Sequence, residues 1–219
     1  MTLKVYADRM SQPSRAVIIF CREINPMRKV PAIVDGRFKL FERYPADLFK
    51  RAKVHSVLDW YHLNIRLGAG IYVVPSGTYF STYVLNSTLG PALGLPLNPE
   101  KAAESEKLLS ASLKKIESVW LKGNGRFLLG SSQPSIADLS LVCEIMQLEI
   151  LDEKDRERIL GHHKRVLKWI DDTREATMPH FDEVHSILFK VKDKLKKLRY
   201  EEGVGETEYK RETVLRSKM

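Results

Sequence analysis

Ser135-Ile136-Ala137-Asp138, running on into Leu139-Ser140-Leu141-Val142-Cys143-Glu144-Ile145-Met146-Gln147-Leu148-Glu149-Ile150-Leu151, is the stretch that decides the fold. Ser at a helix N-cap and a carboxylate three residues on can satisfy backbone N–H groups that a first helical turn leaves without partners, a capping box with Asp in place of Glu. The run behind it is apolar on nearly every side, so it predicts a central, largely buried helix.

Working outward, the 3.6-residue period continues in both directions. From Arg51, the residues Val54, Val57, Leu58, Tyr61 and Ile65 line one helical face at spacings of three and four. Asn98-Pro99 opens a helix carried by Ala102, Leu109, Leu113, Ile116 and Trp120 and closed by Gly123. Beyond the central helix, Val166, Trp169 and Ile170 mark another, and one more starts at Pro179 and reaches about Tyr200. Gly68 to Tyr83 holds neither period and reads as an irregular loop. The segment after Glu201 is mostly charged and reads as a disordered tail.

The front of the chain is different. Leu3-Lys4-Val5-Tyr6-Ala7 has the alternation of a short strand, Asp8 to Ser11 is polar, and Pro13 suits the start of a helix that carries the apolar stretch Ala16 to Cys21. Val30 to Val34 and Arg37 to Glu42 flank Asp35-Gly36, a strong hairpin signal. The fold class is therefore α+β, with a strand-containing segment at 1–46 too short for a complete domain, an all-helical domain at 47–200 and a tail at 201–219.

Composition bounds the rest. Of the 219 residues, 43% are hydrophobic and 29% charged, and no apolar run approaches the roughly 18 residues needed to cross a bilayer. Met1 to Asp8 lack the pattern of a secretory signal, which implies a reducing compartment. Cys21 and Cys143 cannot form a disulfide framework and are expected to be buried and inert. The net charge of +8 raises the question of nucleic acid. Six of the ten residues from Lys190 to Arg199 are basic, but Val191, Leu195 and Leu198 recur among them at helical spacing, so the charges read as a solvated helix face. Neither His162-His163 nor the group His180, Glu183 and His185 has the spacing that puts two imidazoles on one helical face, so no metal is expected.

Three motifs in order carry a family resemblance: Val5-Tyr6-Ala7-Asp8-Arg9-Met10-Ser11-Gln12-Pro13-Ser14-Arg15, Asn25-Pro26-Met27-Arg28-Lys29-Val30-Pro31-Ala32-Ile33 and Gln133-Pro134-Ser135-Ile136-Ala137-Asp138. Together they resemble the glutathione transferases, and within them the theta class in its plant form. The resemblance implies a thioredoxin-like domain that binds glutathione, joined to a helical domain that lends a wall to the electrophile pocket. It implies Ser11 as the catalytic hydroxyl that favours the glutathione thiolate, and Ser11, Gln12, Lys29, Val30 and Glu42 as the glutathione-binding set. It implies Arg66 in the substrate pocket, where theta enzymes often carry Arg for anionic groups. Glutathione is then a co-substrate and no cofactor is implied. The expected partners are small electrophiles or hydroperoxides and a second copy of the chain in a homodimer, with no nucleic acid and no membrane. The expected location is cytoplasmic, with a peroxisomal alternative because Ser217-Lys218-Met219 resembles the Ser-Lys-Leu address.

The chain also departs from that pattern. Cys21-Arg22 runs directly into Glu23-Ile24-Asn25-Pro26, where the family has a further strand and helix, and Glu42 is followed at once by Arg43-Tyr44-Pro45 without the Ser that should accompany it. The thioredoxin-like domain is thus incomplete. A second reading follows from this: a catalytically inactive truncated member, or a gene-model artefact, retaining only the helical domain.

Overall fold

A computed structural model of the protein describes residues 8–24, 47–69, 72–73, 79–80, 83–90 and 95–197. The expected strands at 3–7 and 30–42 and the tail at 201–219 lie outside these residues. Within them the architecture is helical: α1 (Gln12–Ile24), α2 (Leu48–Leu63), α3 (Ile65–Ala69), α4 (Pro99–Lys115), α5 (Ile136–Ile145), α6 (Glu153–Leu160), α7 (Lys164–Ala176) and α8 (180–197).

The starts of these helices follow from local chemistry. Asp47 accepts the N–H groups of Phe49 and Lys50 ahead of α2, and Asn98 accepts that of Lys101 at the start of α4, with Pro99 in the first turn. Each side chain supplies an acceptor for N–H groups that a first turn cannot bond internally. Periodicity then fixes the buried faces. Val54, Val57 and Tyr61 of α2, Leu109 and Leu113 of α4, and Val166 and Trp169 of α7 are all buried.

Helix α5 is the centre, as its sequence requires. Leu139, Leu141, Val142 and Cys143 are all under 2% exposed, and α1, α2, α3 and α7 pack around it. Its capping box joins it to distant elements as well. Asp138, wholly buried, accepts from the Ser135 N–H and hydroxyl (both 2.7 Å), from the Leu128 N–H (2.8 Å) and from the Trp169 indole N–H (2.8 Å). One carboxylate therefore starts α5, holds the turn at 128 and anchors α7. Burial lifts its pKa above the usual Asp value even though four donors favour the charged form.

Several expectations from sequence need correction. The helical face from Val54 to Ile65 is not continuous: the backbone leaves the helical region at Asn64, whose side chain bonds back to the Trp60 carbonyl, and α3 begins afterwards. Gly68 and Ala69 are in α3 rather than in an irregular loop, and Tyr72–Val73 (β1) pairs antiparallel with Tyr79–Phe80 (β2), two β-favouring pairs too short to show a period. The long helix expected to reach Leu151 is α-helical only to Ile145, then tightens into a 3₁₀ segment, Met146–Ile150. Helix α6 was not expected at all, because only Ile159 and Leu160 are apolar and buried; its signal was the Asp152 cap, which accepts the Asp155 N–H at 2.8 Å. Helix α4 runs into a wider π-helical turn, Ile116–Trp120.

The basic stretch, described as far as Lys197, is an amphipathic helix there, and Leu198 and Arg199 lie outside the described residues. Val191 and Leu195 pack on the core, Lys190, Lys194, Lys196 and Lys197 face solvent, and Lys192 lies 3.5 Å from Glu149. Among the described residues no helix is long and apolar enough to cross a membrane.

Gly68 marks where α3 crosses α4. A Cβ there would lie 2.9 Å from the Leu109 Cα, a backbone atom that cannot swing aside. Gly68→Ala is therefore expected to destabilise the protein by about 1–3 kcal/mol, the usual range for overpacking. Urea unfolding checks this: an unchanged midpoint would mean that α3 and α4 separate at no cost.

Candidate functional site

Ser11 sits at the start of α1. Asp8 shapes the approach: its carboxylate accepts the Met10 N–H (2.9 Å) and its carbonyl accepts the Ser11 N–H (3.1 Å). The Ser11 carbonyl then takes the Arg15 N–H (3.1 Å), the first bond of the helix. Pro13 fits here because an N–H in the first turn has no helical partner to lose. The hydroxyl of a half-buried Ser11 is thus at the positive end of a 13-residue helix, where an anion is favoured. Gln12 follows it, 2% exposed.

Beneath this loop lies a buried polar layer in an otherwise apolar interface between α1 and α5. The Arg15 guanidinium, fully buried, donates through Nη1 to the carbonyls of Arg9 (2.9 Å) and Met10 (3.0 Å), and through Nη2 to the carbonyl of Cys143 (2.9 Å) and Oε1 of Gln147 (3.1 Å). Burial lowers its pKa, and the nearby Cys143, Glu144 and Asp8 oppose that. The Cys143 thiol is buried and pushed up to about 12, so it is not a nucleophile at neutral pH. Cys21 lies in α1.

Glu144 continues the layer toward α2 and α3. It is wholly buried, takes the Tyr61 hydroxyl at 3.3 Å and lies 3.7 Å from Arg66 Nε. Arg66, its side chain 19% exposed, also reaches Nδ1 of His62 at 3.4 Å. Burial raises the Glu144 pKa to about 7 against the pull of Arg66, Tyr61 and Arg15.

That shift has a signed consequence. From pH 4.5 upward the unfolded chain ionises Glu144 while the folded protein keeps the proton, so this residue's contribution falls as pH rises toward about 7. His185, pushed down to about 3 by burial, works in the opposite direction over much of the same range. Comparison with Glu144→Gln isolates the carboxyl, because His185 is common to both proteins. Urea midpoints are expected to shift in favour of the variant between pH 4.5 and 7, by on the order of 2–3 kcal/mol. A pH-independent difference would show that Glu144 ionises normally.

Of the residues singled out from sequence, Ser11 and Gln12 stand together at the start of α1. Arg66 is tied through Glu144 to the layer below them. Lys29, Val30 and Glu42 lie outside the described residues. A surface cavity of about 290 Å³ lined by Ile150, Leu151, Asp152, Glu153, Lys192 and Lys196 includes none of these groups. Sequence reading assigned no role to Arg15, Glu144 and Gln147. The signal was there in Glu144 and Gln147, polar residues inside the apolar run from Leu139 to Leu151, since a buried polar group is more telling than a buried apolar one.

No protein-family model matches the chain. It is 56% identical to glutathione S-transferase T1 of Arabidopsis thaliana, over 91% of this chain and 94% of that protein. It is 55% identical to glutathione S-transferase T2 of the same plant, of which the match covers 39%. The alignment with T1 runs over 241 positions, more than the 219 residues here, so that relative carries stretches without a counterpart in this chain. Among solved structures, a human theta-class glutathione transferase in complex with the glutathione conjugate of 1-menaphthyl sulfate superposes with a TM-score of 0.66 at 24% identity, over 91% of this chain and 92% of that one. The fold is thus that of the glutathione transferases. With identity of this level carried across nine tenths of T1, the chain belongs to the theta-class glutathione S-transferases.

Proposed function

We propose that this chain transfers glutathione to small electrophiles, with Ser11 as the group that stabilises the thiolate. A free thiol of pKa about 8.5 is mostly protonated at neutral pH. A hydroxyl donating to sulfur, at the positive end of α1, lowers that value, and the proton leaves to solvent. The thiolate attacks the electrophilic carbon; the C–S bond forms as the leaving group departs with its electron pair. Gln12, Lys29, Val30 and Glu42 hold the tripeptide, and Arg66 receives an anionic part of the second substrate. With a hydroperoxide, the same thiolate attacks the terminal oxygen, an S–O bond forming as the O–O bond breaks and the alkoxide leaves to take a proton from solvent. A second glutathione thiol then attacks the sulfenic sulfur, giving the disulfide and water. The enzyme acts as a homodimer, in the cytoplasm or, through Ser217-Lys218-Met219, in the peroxisome.

The observation that supports this most is Ser11 at the head of α1, in a chain 56% identical to a named glutathione S-transferase along 94% of its length. The test is direct. The purified chain is expected to bind immobilised glutathione and to conjugate a chromogenic electrophile above the uncatalysed rate. Neither binding nor turnover by soluble, folded protein would overturn the proposal and leave the inactive reading in its place.

A further inference from the structure

We infer that Arg15 is the positioning residue for the Ser11 loop, with Gln147, in the 3₁₀ segment that follows α5, as its anchor. The inference rests on the proposed role of Ser11 and adds the device that aims it. Arg9 and Met10, the two residues immediately before Ser11, each give a backbone carbonyl to Arg15 Nη1. The other end of the guanidinium is fixed to the Cys143 carbonyl and Gln147 Oε1. Cys143 stands in the last turn of α5, just before the chain tightens into the 3₁₀ segment, and its carbonyl accepts from Arg15 outside the helix. Arg15 thus connects the loop to the buried central helix α5.

The chemistry requires arginine. Nη1 serves two carbonyls of the loop while Nη2 serves two acceptors across the interface, a division that a rigid planar fork with five donors can make and a point-like ammonium cannot. Nor is the group spent on cohesion alone, because two of its four bonds end on the loop that carries the hydroxyl. Arg15 also donates its own N–H to the Ser11 carbonyl. A shift of about 1 Å in a catalytic group costs on the order of 10²-fold in rate.

Arg15→Lys and Gln147→Leu test this beside Ser11→Ala. The pKa of the bound glutathione thiol, read from ultraviolet thiolate absorbance against pH, is expected to rise in Arg15→Lys toward its Ser11→Ala value. Its kcat should fall about 10-fold to 10²-fold, with a smaller change in KM for glutathione. Gln147→Leu keeps the buried volume, loses one acceptor and should move both quantities the same way by less; it serves if Arg15→Lys does not fold. In the unliganded protein, amide exchange at Met10 and Ser11 should accelerate in either variant while α7 stays protected. A wild-type thiol pKa and kcat in both variants, or unchanged exchange at Met10 and Ser11, would overturn the inference. If the wild-type chain binds no glutathione, the functional reading fails by itself, and the exchange comparison still decides whether Arg15 holds the loop.

Discussion

Asp138→Ala is expected to remove about 3–5 kcal/mol of stability, because it orphans several buried donors at once. The carboxylate is fully buried and serves four donors from three separate parts of the chain. Its loss leaves the Leu128 and Ser135 N–H groups and the Trp169 indole N–H buried without acceptors, each at a cost of about 1–3 kcal/mol. Part of this is offset, because burying the charge was itself unfavourable. Asp138→Asn keeps one oxygen for Leu128 and Trp169 but turns an amide toward the Ser135 donors, so it should lie between Ala and wild type. For a domain of about 150–250 residues each kcal/mol moves Tm by about 2–4 °C. A change in Tm of only a degree or two in Asp138→Ala would show that water replaces the carboxylate at little cost.

Ser11→Ala is expected to lower kcat for glutathione conjugation by about 10²-fold to 10³-fold, the usual loss when one donor to a reacting anion is removed. KM for glutathione should change less, because its γ-glutamyl and cysteinyl contacts are made equally in ground and transition states. The deficit should also shrink with alkalinity. Removing the hydroxyl raises the pKa of the bound thiol toward its free value of about 8.5, so the variant recovers thiolate only as the pH passes that point. A competing account makes Ser11 no more than a helix cap. That account predicts a stability loss of about 1 kcal/mol and a normal kcat. Measuring rate against pH together with urea unfolding separates the two, and a full kcat in a mildly destabilised variant would favour the cap.

Asp138 was legible in the sequence because its capping chemistry is local, whereas the role proposed for Ser11 came from the family resemblance. Ser135 and Asp138 are three positions apart, and a capping box is complete within one turn. Asn98 ahead of Pro99 and the spacings of Val54, Val57 and Tyr61 are of the same kind. Helix α6 escaped because its burial is confined to its last turn, and the split at Asn64 because both sides of the break keep apolar residues in register.

From sequence came the helical body, the central α5 with its cap, the Ser11 motif and the resemblance that the comparisons bear out. Only the tertiary structure could show that Asp138 also takes the Trp169 indole, 31 positions away, and that Arg15 reaches Cys143 and Gln147 at separations of 128 and 132. Periodicity and caps report neighbours within a turn or two. A buried guanidinium finds its acceptors by the packing of one helix on another, and that pairing leaves no periodic trace along the chain.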